Sequence, residues 1–215
     1  MLLNRTITGH LLPKEKSIML KLNQITKKYG RQSALKEVSL WIEAPGLVML
    51  YGANGSGKST LLKIISAIVY KSSGCLEVRG IVSYLPDKAL LPRLMAVKSY
   101  IQYIFKLYGV TQKPIEAMEA HGIPNKRIGE LSKGNLQKLM LLQAFSVPAQ
   151  IYVLDEPLDG LDDLAKKRFR DEIQAAVDHG AAVIMSLHRN KLYAELSPRS
   201  LELKNGECYE KKKKL

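Results

Sequence analysis

The sequence predicts an α/β protein, a core of parallel strands interrupted by a small helical insert. Three observations predict it. A short apolar strand, a glycine-rich loop and an apolar helix follow one another over residues 47–69. Two further apolar runs, within "QIYVLDEP" and "AAVIMSLH", have the unbroken hydrophobicity of strands covered on both faces. Between these features, from about residue 86 to 147, the apolar spacing turns helical.

Taken in order, residues 1–18 read as an appended extension, and the chain restarts at Met19. Alternating Leu20, Leu22 and Ile25 predict an edge strand. Val38, Leu40 and Ile42 predict a second strand, ended by Pro45 and Gly46. Residues 47–51 form the short buried strand. The following helix, residues 58–69, carries Leu61, Leu62, Ile64, Ile65, Ile68 and Val69 and is expected to be buried on most sides. "GCLEVRGIVSYLP" reads as two short strands about Arg79 and Gly80. In the insert, Ile101, Ile104, Phe105 and Tyr108 share one helix face. A second, shorter helix spans "KPIEAMEAHG" and is stopped by Gly122, and a third starts after Gly134. Leu164, Ala165, Phe169, Ile173, Ala176 and Val177 mark an amphipathic helix that Gly180 ends. The expected organisation is one domain over residues 19–215 with its insert at about 87–147.

Composition narrows the setting. No run of about 18 apolar residues exists, so no transmembrane helix is expected. Two cysteines, Cys75 and Cys208, imply neither a disulfide framework nor a zinc site. A reducing, cytoplasmic environment is the simple expectation, since "MLLNRTITGHLLPKEKS" has no signal-peptide core. The net charge of +13 admits nucleic acid, anionic membrane or nucleotide as partners and does not choose among them. The Lys211–Lys214 run reads as a solvated end.

The loop names the ligand class. Gly52 to Ser59, with Asn54, Gly55, Ser56 and Gly57 between, fits G-x-x-x-x-G-K-[ST], and Thr60 follows. Glycines let several backbone N–H groups converge on one anion. Lys58 brings positive charge to the β- and γ-phosphates, and the Ser59 hydroxyl is a hard ligand suited to Mg²⁺. The helix N-terminus behind the loop also favours the anion. Asp155 and Glu156 end an apolar strand, expected to lie next to the strand before the loop. Asp155 is placed to hold Mg²⁺ through water, and Glu156 to polarise a water for attack on the γ-phosphate. His188 ends the next run, within reach of the same phosphate. Ser132 and the N–H groups after it, in Leu131-Ser132-Lys133-Gly134-Asn135, form a second anion-binding helix start. A chain with one triphosphate loop rarely needs a second phosphate cap, which makes sense if that cap serves the nucleotide of another subunit.

With these residues assembled, the chain resembles the ATP-binding cassette (ABC) ATPases, specifically the nucleotide-binding subunits of ABC transporters, over about residues 19–210. The matching features are the 52–60 loop, the "LSKGN" signature, "IYVLDEP", the "LDGLDD" D-loop with Asp162, and His188. The resemblance implies a P-loop cassette: a parallel core, an N-terminal antiparallel β subdomain and an α-helical insert. It implies ATP and Mg²⁺ as cofactors, with Tyr29 stacked on adenine. It implies a head-to-tail dimer, expected to be a homodimer, with ATP between the Lys58 loop of one copy and Ser132 of the other. Transmembrane permease subunits on separate chains complete the expected assembly, which places the protein peripherally on the cytoplasmic face of the cell membrane. Export is favoured over import by the form of the signature and the lack of an importer-style C-terminal domain. Nucleic acid is not the expected partner; the alternative is a soluble ABC ATPase acting on nucleic acid, ribosomes or an assembly complex. Three departures stand out. Asp87 occupies the position where the family often carries a metal-sensing glutamine, Lys133 and Asn135 replace a glycine and a glutamine of the commonest signature, and the helical insert is short.

Overall fold

A computed structural model describes residues 17–88, 90–187 and 198–211. Three strands, β1 (Ser17–Tyr29), β2 (Gln32–Ala44) and β4 (Ser73–Val78), form an antiparallel sheet in the order β2-β1-β4. Six more, β3 (Gly46–Tyr51), β5 (Val82–Leu85), β6 (Ile151–Leu154), β7 (Ala182–Leu187), β8 (Arg199–Lys204) and β9 (Glu207–Glu210), form a second sheet in the order β5-β6-β7-β3-β8-β9. All its pairings are parallel except β8 with β9.

The second sheet is covered on both faces, as its apolar strands require. On one side α1 (Lys58–Ile65) and the antiparallel sheet bury Leu20, Ile42, Leu61, Ile64, Val153 and Ile184 together. On the other, α4 (Lys133–Ser146) and α5 (Asp163–Asp178) pack Phe145, Phe169 and Ile173 against Met49, Leu154 and Met185. A third cluster joins α2 (Val97–Tyr108), α3 (Pro114–His121) and α4 through Ile101, Phe105, Met118 and Leu142. Alternation along the strands puts Tyr84, Asp155 and Ser186 on the α1 side.

Chain entry to and exit from the α2–α3 pair run side by side. Val97 N–H donates to Lys126 O at 2.9 Å, Ile128 N–H to Met95 O at 3.0 Å, and Gly129 N–H to Arg93 O at 2.8 Å. Ala96 and Arg127 form an antiparallel bridge at this neck.

Five expectations are corrected. β1 is the middle strand of its sheet, not an edge. Period-two burial reports one covered face and carries no information about lateral neighbours. Its periodicity breaks between Leu22 and Ile25 because a bulge sits there: Gln24 has φ 51°, and its N–H donates to Ser39 Oγ at 2.9 Å. α1 ends at Ile65, not at Val69, and Ile68 is exposed. Ala67 takes a left-handed φ of 56°, Ile68 N–H returns to Lys63 O and Ala67 N–H to Ile64 O, which closes the helix in a Schellman motif without glycine. β6 does not adjoin β3, because β7 lies between them. Leu164, taken as part of the apolar stripe of α5, is exposed. The β8–β9 hairpin was not foreseen, although its signal is in the sequence: Asn205 and Gly206, both with positive φ, turn between Leu203 and Cys208. β1 begins at Ser17, paired with Ala44, ahead of the expected restart at Met19.

Candidate nucleotide site

The phosphate loop leaves β3 at Tyr51 and enters α1 at Lys58. Gly57 is the helix N-cap, at φ 107°, and a Cβ there would lie 2.5 Å from Ala34 O. Only glycine satisfies both the dihedral and the space. Having no side chain, Gly57 cannot cap α1, and no acidic residue occupies the first turn. The N–H groups at this helix start are thus left for an external anion. Lys58 is almost fully buried, and its Nζ donates to Gly52 O at 2.9 Å and Ala53 O at 3.2 Å. Ser56 is also buried, with its Oγ lacking a hydrogen-bond partner. Asn54 and Gly55 are exposed at the loop tip, while Ser59 and Thr60 are half-buried in the first turn. A glycine cradle, a buried ammonium, an orphaned hydroxyl and an uncapped helix start fit a polyphosphate.

Asp155 follows β6 and is 1% exposed. Its N–H is held by Leu85 O, and its Oδ1 accepts a 2.7 Å bond from Ser186 Oγ of β7. Among the described residues no cationic side chain pairs with it. A buried carboxylate without a cation is costly. The nearby Tyr84 hydroxyl is buried without a hydrogen-bond partner. Burial first, then the carboxylates of Asp155 and Asp87, push the Tyr84 phenol above its usual range, so all three groups share one electrostatic neighbourhood. An unpaired buried carboxylate and an orphaned hydroxyl are the donor set a hydrated Mg²⁺ accepts, with Ser59 on the facing helix start. Asp87 itself is exposed. Glu156 takes a left-handed φ of 48°, unusual for a glutamate, and its N–H donates to Ser186 Oγ at 2.8 Å.

The second helix start is capped from within. Ser132 Oγ accepts from Asn135 N–H at 3.3 Å, and the first turn of α4 has no acidic residue. This turn is fastened to residues 157–162. A Cβ on Gly134 would lie 2.6 Å from Gly160 O, and the buried Gln137 amide donates to Pro157 O at 3.0 Å. Lys133 Nζ pairs with Asp159 at 2.6 Å, on the surface. Lys138 Nζ pairs at 2.7 Å with Asp162, which also caps α5 through Ala165 N–H. The Lys138 hydrogen bond and that capping bond hold the Asp162 carboxyl below its ordinary range. Signature and D-loop thus form one packed unit within the subunit.

Tyr29 closes β1 at the hairpin with Gln32; its ring is half exposed and lies 4.8 Å under the Lys27 ammonium. His188 lies outside the described residues. Ser186, Gln137 and Tyr84 were not singled out from the sequence. The available signal for Ser186 was a hydroxyl inside an otherwise apolar strand, which must find a partner.

The sequence profile of the ABC transporter family matches residues 35–159. The chain belongs to this family. The ABC subunit is 31% identical over 197 residues to an uncharacterized ABC transporter ATP-binding protein of Methanocaldococcus jannaschii, covering 88% of this chain and 75% of that one. It is 29% identical over 212 residues to the ABC-type transporter ATP-binding protein EcsA of Bacillus subtilis, covering 88% and 85%. Its fold matches the dimeric structure of a bacterial ABC transporter cassette with a TM-score of 0.78 at 24% identity, over 92% of this chain and all of that one. The phosphate loop, the Asp155–Glu156 strand end and the α4 start are thus parts of an ABC ATPase cassette. No helix among the described residues is long and apolar enough to cross a membrane.

Proposed function

We propose that this ABC subunit is the ATP-hydrolysing motor of a membrane transporter, working as a head-to-tail homodimer on permease subunits carried by separate chains. One observation carries the reading. Behind the glycine loop the start of α1 is free of acidic side chains and has its own phosphate cradle, and a second such start, α4, opens on the Ser132 hydroxyl without a cradle; the start of α2 is also free of acidic side chains but has neither cradle nor hydroxyl cap. Two copies facing each other let the second start close over the nucleotide held by the first. Each ATP would then touch Lys58, Ser59 and Thr60 of one copy and Ser132, Gly134 and Asn135 of the other. Tyr29 offers the ring for adenine.

The Mg²⁺ that Ser59 and Asp155 would hold, with Asp87 beside them, supplies charge neutralisation at the phosphate oxygens. Glu156 accepts a proton from the attacking water and orients it, and His188 steadies the γ-phosphate. Because the nucleotide joins the two copies, loss of the γ-phosphate weakens the dimer and lets the permease halves move. The subunit would sit on the cytoplasmic face of the membrane, and export is the favoured direction, on the form of the Leu131–Asn135 segment.

The test is co-purification of tagged Glu156→Gln protein from membranes solubilised with ATP. A polytopic membrane protein should accompany a nucleotide-locked dimer whose turnover is abolished. Ribosomes, nucleic acid or soluble factors without any membrane chain would overturn the transporter reading, and unchanged turnover would remove Glu156 from the reaction.

A further inference from the structure

We propose that Ser186 is the positioning residue that sets the metal-binding carboxylate and the water-activating glutamate in fixed relation to each other. Ser186 is fully buried, the one hydroxyl in a β7 strand whose other members are Ala182, Val183, Ile184, Met185 and Leu187. It pairs with Leu50 of β3 and stands next to Met185, which pairs with Leu154 of β6. This strand occupies the gap between the two that carry the phosphate loop and Asp155.

The proton assignment follows from the geometry. The Glu156 N–H can only donate, so Ser186 Oγ accepts there, at 2.8 Å. The single hydroxyl hydrogen then goes to Asp155 Oδ1, at 2.7 Å. Accepting one bond strengthens the donation of the other at a buried pair such as this. Through the first bond Ser186 holds Glu156 in its left-handed conformation, which aims the side chain away from the path a regular strand would give it. Through the second it commits one oxygen of Asp155 and fixes the plane of the carboxylate, leaving the other oxygen for the cation's water shell. One hydroxyl thus couples the residue that holds the metal to the residue that handles the water. The two cannot reorient independently.

This inference rests on the proposed roles of Asp155 and Glu156, and its test separates the two. The full chain and its Ser186→Ala, Asp155→Asn and double variants are loaded with ATP, and Mn²⁺ affinity is read by electron paramagnetic resonance. ATP affinity is measured in EDTA, and thermal unfolding checks the fold. Ser186→Ala should weaken Mn²⁺ binding by about 10- to 100-fold, the range for a residue that orients a metal ligand. ATP affinity without metal should stay within about twofold of wild type, because the lysine loop is untouched. In the Asp155→Asn background the alanine should cost no further Mn²⁺ affinity. Should the alanine variant not fold, Ser186→Cys, which keeps the volume and a weak donor, carries the same comparison. Mn²⁺ affinity that survives Ser186→Ala while falling in Asp155→Asn overturns the role of Ser186 alone, as does an additive double variant. Mn²⁺ affinity indifferent to Asp155→Asn overturns the metal-site reading beneath it.

Discussion

Replacing Gly134 by alanine tests whether the packed unit of signature and D-loop serves turnover and not only folding. The new Cβ would lie 2.6 Å from the Gly160 carbonyl oxygen, where ordinary contact begins near 3.4 Å. The start of α4 and the turn at residue 160 must therefore part by about 0.8 Å. As overpacking this costs about 1–3 kcal/mol. In a chain of this size each kcal/mol lowers the unfolding midpoint by about 2–4 °C, so the protein stays folded at room temperature. Function should respond more steeply, since misplacing a catalytic element by about 1 Å can cost about 100-fold. The displaced turn carries Ser132, assigned to the dimer-bound nucleotide, on one side and Asp162 of the D-loop on the other. The assay is steady-state ATP hydrolysis at saturating ATP over a series of protein concentrations, beside titration of a fluorescent ATP analogue onto the monomer. Turnover should fall about 100-fold while the analogue binds within about twofold of wild type. Turnover within about threefold of wild type would refute the reasoning, because the contact would then be absorbed without moving the site.

Lys58→Ala removes the buried ammonium and the charge-assisted bond it would make to the phosphates, worth about 1.5–3 kcal/mol, and should weaken ATP binding about 10- to 100-fold in the same titration. Ile173, fully buried on the inner face of α5, should cost about 2–5 kcal/mol when cut to alanine, read from a urea midpoint. His121 joins the insert to α5: Nε2 meets Glu172 at 2.7 Å and Nδ1 meets Ala117 O at 2.8 Å. Burial lowers its pKa, but the Glu172 bond and charge and the Ala117 carbonyl outweigh burial and the Arg168 charge, so the folded value is raised. Stability from this bridge is therefore complete below the ordinary value of about 6.5 and is lost as pH rises through the raised one. The gap in unfolding midpoint between wild type and Glu172→Gln should be widest at acid pH and shrink toward alkaline pH; a gap constant across that range would show that the imidazolium contributes nothing.

The elements that announced themselves in the sequence are those whose local chemistry and burial agree. The glycine loop, the uncapped start of α1 and the unbroken runs of β6 and β7 are each specified by consecutive residues. Gly122 stops α3 in the left-handed conformation that its position predicted. The strand ending at His188 is expected beside the Asp155 strand, and β7 does pair with β6; what escaped was the order on its other side. Nothing in the residues of β7 says that it slots between β6 and β3, and nothing in the run itself revealed that Ser186 would reach Asp155. The end of α1 escaped for a different reason: Ala67 adopts the conformation usually reserved for glycine, while Ile68 and Val69 continue the apolar look beyond the true stop. Lys133 and Asn135 could be placed at a helix start, but the pairing of Lys133 with Asp159 joins two loops distant in sequence.

The neck at Ala96 and Arg127 makes α2 and α3 a detachable module. The chain leaves for α2 and returns from α3 at adjacent points, so the pair can be lifted out and replaced without stretching either end. α4 is different in kind. Its first turn is tied to residues 157–162 and its last to the core, where Ser83 Oγ reaches Ala144 O. Exposed Tyr103, Leu107 and Ile115 all belong to the removable pair, while Ser132 and Gly134 belong to the fixed helix. A lineage, or an engineer, could therefore trade the outward face of the insert to suit a new neighbour and leave the nucleotide machinery in its original setting. Chimeras should be cut at that neck and nowhere within α4.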